Sequence, residues 1–129
     1  MLLADKIHKI RENVDAINSF FKNYDKLEFK IINKGSIEVI AGSDLSVKYD
    51  IKIFFHEIYF MSTPLEWSST PTYKFNIIKI LQDESEINGK FYLEKGWFLF
   101  EFSSDAFPGC KNYITASSIS YEINKVVLT

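Results

Sequence analysis

The spacing of apolar residues changes once along the chain, and this change constrains the fold more than any other feature. From residue 2 to residue 24, apolar side chains recur every three or four positions, as on one face of a helix: Leu3, Ile7, Ile10, Val14, Ile17, Phe21 and Tyr24. The polar residues between them are expected on the solvent side of that helix: His8, Arg11, Asp15, Asn18 and Lys22. The same spacing is compatible with a coiled-coil seam, but a stripe of barely more than three heptads that ends in aromatics favours a helix that lies across a sheet.

After residue 24 apolar and polar residues alternate, which is the period of a strand with one buried face. The alternation predicts strands near residues 27–31, 37–39 and 47–53, then further strands at 73–80, 91–102 and 113–123. Residues 62–71, with two prolines, are predicted to be a loop, and Asn88-Gly89 is a hairpin signal. Near His56-Glu57 the alternation fails, which predicts a bulge or bend followed by a strand covered on both faces.

Length and composition set the size of the fold. A chain of 129 residues with 47% hydrophobic residues can bury one core, and no internal repeat or linker divides it. We therefore expect a single domain over residues 1–129. Its class is α+β, with one N-terminal amphipathic helix packed on a strongly curved, mostly antiparallel sheet of six to eight strands.

Charge and cysteine content exclude several functional classes. A net charge of −2, a pI near 5.7 and a single arginine, Arg11, argue against nucleic-acid binding. Cys110 is the only cysteine, so no intramolecular disulfide is possible. The longest apolar run, residues 97–100, is far too short to span a membrane, and the N-terminus lacks the apolar stretch of a signal peptide. These features predict a cytoplasmic protein.

Motifs for catalysis, metals and cofactors are missing from the sequence. His8 and His56 fall on different predicted elements, and the five glycines are scattered, so neither a metal site nor a nucleotide cofactor is expected. His56 and Glu57 could form an acid–base pair only if the bend reorients one of them, because neighbouring strand residues point to opposite faces. We expect no enzyme. The alternative is a small-ligand or enzymatic domain with a pocket near His56, Glu57 and Cys110.

Two segments are candidates for binding a partner protein. Asp83, Glu84 and Glu86 form an acidic turn, which is either a solvated hairpin tip or a docking point for a basic partner. Glu66 and Trp67 lie in the predicted loop. Tryptophan is enriched in binding hot spots, but Trp67 could equally cover one open end of the core.

The chain as a whole resembles the small, acidic, cytoplasmic immunity proteins that neutralise bacterial toxins, including those of contact-dependent growth inhibition. The resemblance is one of type: a single α+β domain with no catalytic motif, an acidic turn, and aromatic-rich strands at Phe55 to Trp67 and Tyr113 to Ile123. It implies a stoichiometric inhibitor that covers or distorts the active site of a toxin domain, as a monomer or weak homodimer. The acidic turn would then mimic the substrate of a nuclease toxin. A further alternative is a structural subunit of a bacterial assembly, with the helix stripe as its oligomer seam.

Overall fold

One helix is followed by seven strands in the computed structural model, which describes residues 3–70, 78–80, 97–103 and 112–124. The elements are α1 (Leu3–Phe21), β1 (Leu27–Asn33), β2 (Ile37–Gly42), β3 (Ile51–Ser62), β4 (Glu66–Ser69), β5 (Ile78–Ile80), β6 (Phe98–Phe102) and β7 (Asn112–Ile123). The predicted α+β fold, one N-terminal helix on a strongly curved antiparallel sheet, is confirmed.

The strands form one sheet in the order β4-β1-β2-β3-β7-β6-β5, and each described neighbouring pair is antiparallel. The two longest strands, β3 and β7, have 12 residues each and pair along nearly their whole length. The sheet curves into a half-barrel with the helix on its inner face. None of the helices described in this structure is long and apolar enough to cross a membrane.

The core lies between α1 and the inner face of the sheet. The helix contributes Ile10, Val14, Ile17 and Phe21, all at most 4% exposed. The strands contribute alternate residues, which is why the period of two predicted them: Leu27, Phe29, Val39, Ile51, Ile53, Phe55, Phe98, Phe100, Phe102 and Ile114. Each such buried side chain contributes roughly 1.5–3 kcal/mol of transfer free energy.

The predicted bend at His56-Glu57 is present, and it involves two strands. Glu57 has φ 53°, a left-handed conformation that is rare outside glycine. Inward-facing residues step from Phe55 to Ile58 on β3 and, opposite them, from Ile119 to Ala116 on β7. Both strands therefore change phase at the same level, which keeps apolar side chains facing the core through the bend.

The part of β3 that follows the bend is not covered on both faces, and that prediction was wrong. Tyr59, Phe60 and Met61 are 51%, 39% and 36% exposed. A register shift between Ile58 and Phe60 adds one residue to β3, so that strict alternation is lost there. Apolar residues at consecutive positions indicated two covered faces, whereas the bulge turns several of them toward solvent.

The predicted loop at residues 62–71 contains a strand. Residues Glu66–Ser69 form β4, which pairs with the outer edge of β1 through Glu28 and Lys30. The sequence does not indicate this strand, because it is short and polar and the flanking Pro64 and Pro71 are typical of a loop. Its place at the edge of the sheet is compatible with prolines on either side.

Asn18 is buried, which corrects its predicted place on the solvent side of the helix. Asn18 is 5% exposed, although the spacing of apolar residues placed it on the polar side of the helix. The Nδ2 group donates to the Ile78 carbonyl oxygen at 2.9 Å, and the Ile78 N–H donates to Oδ1 at 3.0 Å. The amide of Asn18 therefore pairs with β5 much as a neighbouring strand would.

Candidate functional site

A pocket of about 570 Å³ lies on the outer face of the sheet, where β1 and β4 meet the loop after β2. In β1 and β4 the register places Glu28 opposite Ser68 and Lys30 opposite Glu66. Their side chains point away from the core, because Phe29 between them is buried on the helix side. The residues that line the pocket are Glu28, Phe29, Lys30, Asp44, Leu45, Ser46, Glu66, Trp67 and Ser68.

The wall of this pocket is a turn that is fixed by hydrogen bonds. The Leu45 N–H donates to Oε1 of Glu28 at 2.8 Å, which fastens the turn to β1. Oδ1 of Asp44 accepts the Ser46 N–H at 3.0 Å, and the Asp44 carbonyl accepts from Val47 N–H at 3.1 Å. A side-chain oxygen that accepts from the backbone two residues on is what asparagine and aspartate supply in turns. The pocket is therefore held in shape without a ligand.

Carboxylates dominate the charge of the pocket. Glu28, Asp44 and Glu66 face one ammonium group, that of Lys30. Lys30 Nζ lies 3.7 Å from Glu66 Oε1, in a pair whose side chains are 48% and 70% exposed. Such an exposed, long ion pair holds its partners weakly. The pocket thus has a formal charge of −2, as large as the net charge of the whole chain.

Asp50 anchors the far end of the same loop. Its N–H donates to the Ala41 carbonyl at 2.8 Å, and its Oδ1 accepts from Lys48 Nζ at 2.8 Å. A Cβ on Gly42 would lie 3.1 Å from Asp50 Oδ2, so this close approach requires glycine or a local shift.

The carboxyl of Asp50 has a lowered pKa and the phenol of Tyr24 a raised one. Burial alone raises the pKa of Asp50, but it is outweighed by hydrogen bonds from Lys48 and Tyr24, the Lys48 charge and the Ser43 N–H. Burial, then the hydrogen bond to Asp50 and its negative charge, raise the pKa of Tyr24 to about 12. This cluster joins the end of α1 to the loop that walls the pocket.

Stability should fall in acid through Asp50. A carboxyl whose pKa is lower in the folded state stabilises the fold fully above its unfolded pKa, about 3.9, and loses that contribution as the pH falls through its folded pKa. We expect Asp50→Asn to be less stable than the wild type at pH 7, and the difference to shrink below about pH 4. Urea unfolding between pH 7 and pH 2 measures this. A difference in free energy of unfolding between the two proteins that stays the same from pH 7 to pH 2 would contradict this prediction.

A second surface of interest is the exposed apolar end of β3, formed by Tyr59, Phe60 and Met61. The Tyr59 ring packs against Trp97, with ring centroids 5.2 Å apart. Trp97 Nε1 in turn donates to the Glu57 carbonyl at 3.2 Å, and this hydrogen bond connects the aromatic pair to the bend. Leu65, just before β4, is 72% exposed. Solvent-facing apolar side chains that follow one another, as from Tyr59 to Met61, are typical of binding surfaces.

The structure separates the two residues of the predicted Glu66-Trp67 interface. The Glu66 side chain is exposed at the pocket, whereas Trp67 is 4% exposed and stacks on Phe29 with ring centroids 5.2 Å apart. Of the two arrangements expected for Trp67, the structure has the one in which it covers the core. Asp83, Glu84 and Glu86 lie outside the described residues, so the acidic turn stays a prediction.

His56 does not cooperate with Glu57 in the described geometry. His56 is exposed, and its Nε2 lies 2.9 Å from Ser120 Oγ across the β3–β7 pair. Ser117 Oγ donates to the His56 carbonyl at 3.1 Å, in support of the bend. The third residue of the proposed pocket, Cys110, lies outside the described residues.

The sequence does not identify Glu28 or the Asp44–Ser46 turn as candidate site residues. Glu28 occupies an ordinary solvent position of an alternating strand, and Asp44 an ordinary turn position. Only the pairing of β4 with β1 brings Glu66 next to them, and that pairing is a long-range contact with no sequence signal. Comparison of the chain with protein-family models, with curated proteins and with solved structures finds no match.

Proposed function

We propose that this chain is a non-enzymatic protein-binding module, an immunity protein that neutralises a cognate bacterial toxin by stoichiometric binding. The observation that carries the proposal is the exposed apolar end of β3. Phe60 and Met61 pair with Thr115 and Ile114 of β7, and the Tyr59 ring packs against Trp97, so the scaffold leaves the three side chains little freedom to rearrange. Preorganised aromatic side chains are the usual anchors of protein interfaces.

The resemblance in type supports the identity of the partner. A small acidic α+β domain, rich in aromatic strands and without a catalytic motif, fits an inhibitor that acts by covering another protein. In that role the apolar end of β3 packs against the toxin domain, and the acid side chains around the sheet favour a basic partner surface. In this role the protein catalyses no reaction and inhibits the toxin by remaining bound to it.

The test titrates this chain against the product of the adjacent upstream gene, which the proposal expects to contain a toxin domain. We expect a one-to-one complex in isothermal titration and restored growth of cells that produce both proteins. Tyr59→Ala together with Met61→Ser should weaken binding at least tenfold, since truncation of interface anchors costs about 2 kcal/mol or more. No heat at micromolar concentrations, or no such toxin gene, overturns the proposal.

A matched control removes an exposed apolar side chain elsewhere. Ile123 is 41% exposed and lies opposite Ile51, at the end of the β3–β7 pair that is remote from Tyr59, so Ile123→Ser changes surface hydrophobicity away from the proposed interface. We expect this variant to bind the toxin like the wild type. Thermal unfolding of each variant distinguishes lost binding from lost folding. Equal weakening by Ile123→Ser would assign the effect to general surface polarity.

A further inference from the structure

We propose that the pocket between β1, β4 and the 44–46 turn binds a basic segment of a partner protein, with an arginine or lysine side chain among the carboxylates. The partner's identity rests on the proposed function. The preference of the pocket for a cationic side chain does not, because it follows from shape and charge. Glu66, expected from the sequence to contact a partner, is one wall of this pocket.

The shape of the pocket suits a short segment of chain. Its volume of about 570 Å³ falls within the ~300–1,000 Å³ of typical ligand pockets. The floor is made by two paired strands and the wall by a turn that is hydrogen-bonded to Glu28. Because these parts are already ordered, a ligand would not have to organise them.

The carboxylates are placed to receive a cation. Leu45 N–H holds Oε1 of Glu28, which orients this carboxylate and leaves Oε2 as an acceptor. Among the described residues, the ion pair of Glu66 is with the exposed ammonium of Lys30 at 3.7 Å, which an incoming cation can displace at little cost. A planar guanidinium can donate to two carboxylates at once, as a fork of parallel hydrogen bonds.

The charge and donor set disfavour other ligands. A phosphate or nucleic acid would meet three carboxylates against one ammonium. Within the described ranges no group of three histidine, cysteine, aspartate or glutamate side chains could hold a metal ion. A basic protein segment is the ligand that matches both the negative charge and the strand-lined shape.

The experiment is an NMR titration of the isotope-labelled full chain with a blocked Gly-Arg-Gly peptide, followed through the backbone amides. We expect shifts at residues 28–30, 44–46 and 66–68, and none with a Gly-Gln-Gly peptide. Glu28→Gln and Glu66→Gln should each weaken binding roughly two- to fivefold, and Lys30→Gln should strengthen it by a similar factor. Glu12→Gln, on the exposed side of α1, is the matched control and should change nothing.

Each alternative outcome is decisive. Equal shifts with both peptides, shifts elsewhere, or no effect of the Glu66 and Lys30 changes overturns the site. Spermidine that binds at the same residues more tightly than the arginine peptide assigns the pocket to a free polyamine instead. A chain that binds the arginine peptide but no toxin would disprove the proposed function and leave the pocket in place.

Discussion

Replacement of Phe29 by alanine is expected to lower the free energy of unfolding by about 3–5 kcal/mol. The Phe29 ring is 1% exposed and contacts three other rings, those of Phe21, Trp67 and Phe102, with centroids 5.4, 5.2 and 6.0 Å away. These rings come from the helix and from two strands at different places in the sheet. A cavity bounded by three elements collapses poorly, so the loss should fall in the upper part of the range. Urea unfolding followed by circular dichroism measures it.

Trp67→Phe is the matched variant in the same cluster. It keeps an aromatic ring stacked on Phe29 but removes Nε1–H, which is buried without a hydrogen-bond partner among the described residues. Loss of packing volume is then offset by removal of an unsatisfied donor. We expect a change of about 1 kcal/mol or less. A loss as large as that of Phe29→Ala would contradict this expectation.

The parts of the fold that follow from local periodicity were predictable. The stripe from Leu3 to Phe21 is the buried face of α1, and the alternation around Phe29 and Ile53 gives strands with the expected inner face. The failure of alternation predicted a bulge or bend near His56-Glu57, and the structure has the left-handed residue at Glu57 and the register shift just after it. In each case, neighbours in sequence determine the burial pattern, so that the pattern is readable from the chain alone.

Long-range contacts decided the rest. Strict alternation along β7 would place Tyr113 on the same face as Ile119, but the phase change opposite the bend turns Ile114 and Ala116 inward instead. Trp67 became a core residue only because β4 pairs with β1, next to Phe29. The same pairing creates the candidate pocket. Neither the choice of a strand's pairing partner nor the phase change of β7 opposite the bend in β3 produces a periodic pattern in the sequence. The residues of the candidate pocket could therefore not be brought together from the sequence alone.

Replacement of Asn18 is the second change with a large expected effect, because the Asn18 side chain on α1 forms hydrogen bonds with the backbone of β5 at the edge of the described sheet. β5 is the last described strand of the sheet. The backbone N–H and carbonyl of Ile78 point away from β6, and both are hydrogen-bonded to the Asn18 side chain. Asn18→Ala leaves a buried N–H and a buried carbonyl unpaired. At about 1–3 kcal/mol for each of the two unsatisfied groups, we expect stability to fall by about 2–6 kcal/mol.

Two further variants isolate the hydrogen bonds of Asn18 from its packing. Asn18→Leu keeps the branched shape and the number of side-chain heavy atoms but loses both bonds, so it should be nearly as destabilised as Asn18→Ala. Asn13→Ala removes a single, partly buried bond to the Ile119 carbonyl and should cost about 1 kcal/mol. Hydrogen exchange at the Ile78 amide gives the local measurement, since that N–H loses its acceptor only in the Asn18 variants. A stable Asn18→Leu protein with unchanged exchange at Ile78 would show that packing, and not the amide pairing, holds β5 against the helix.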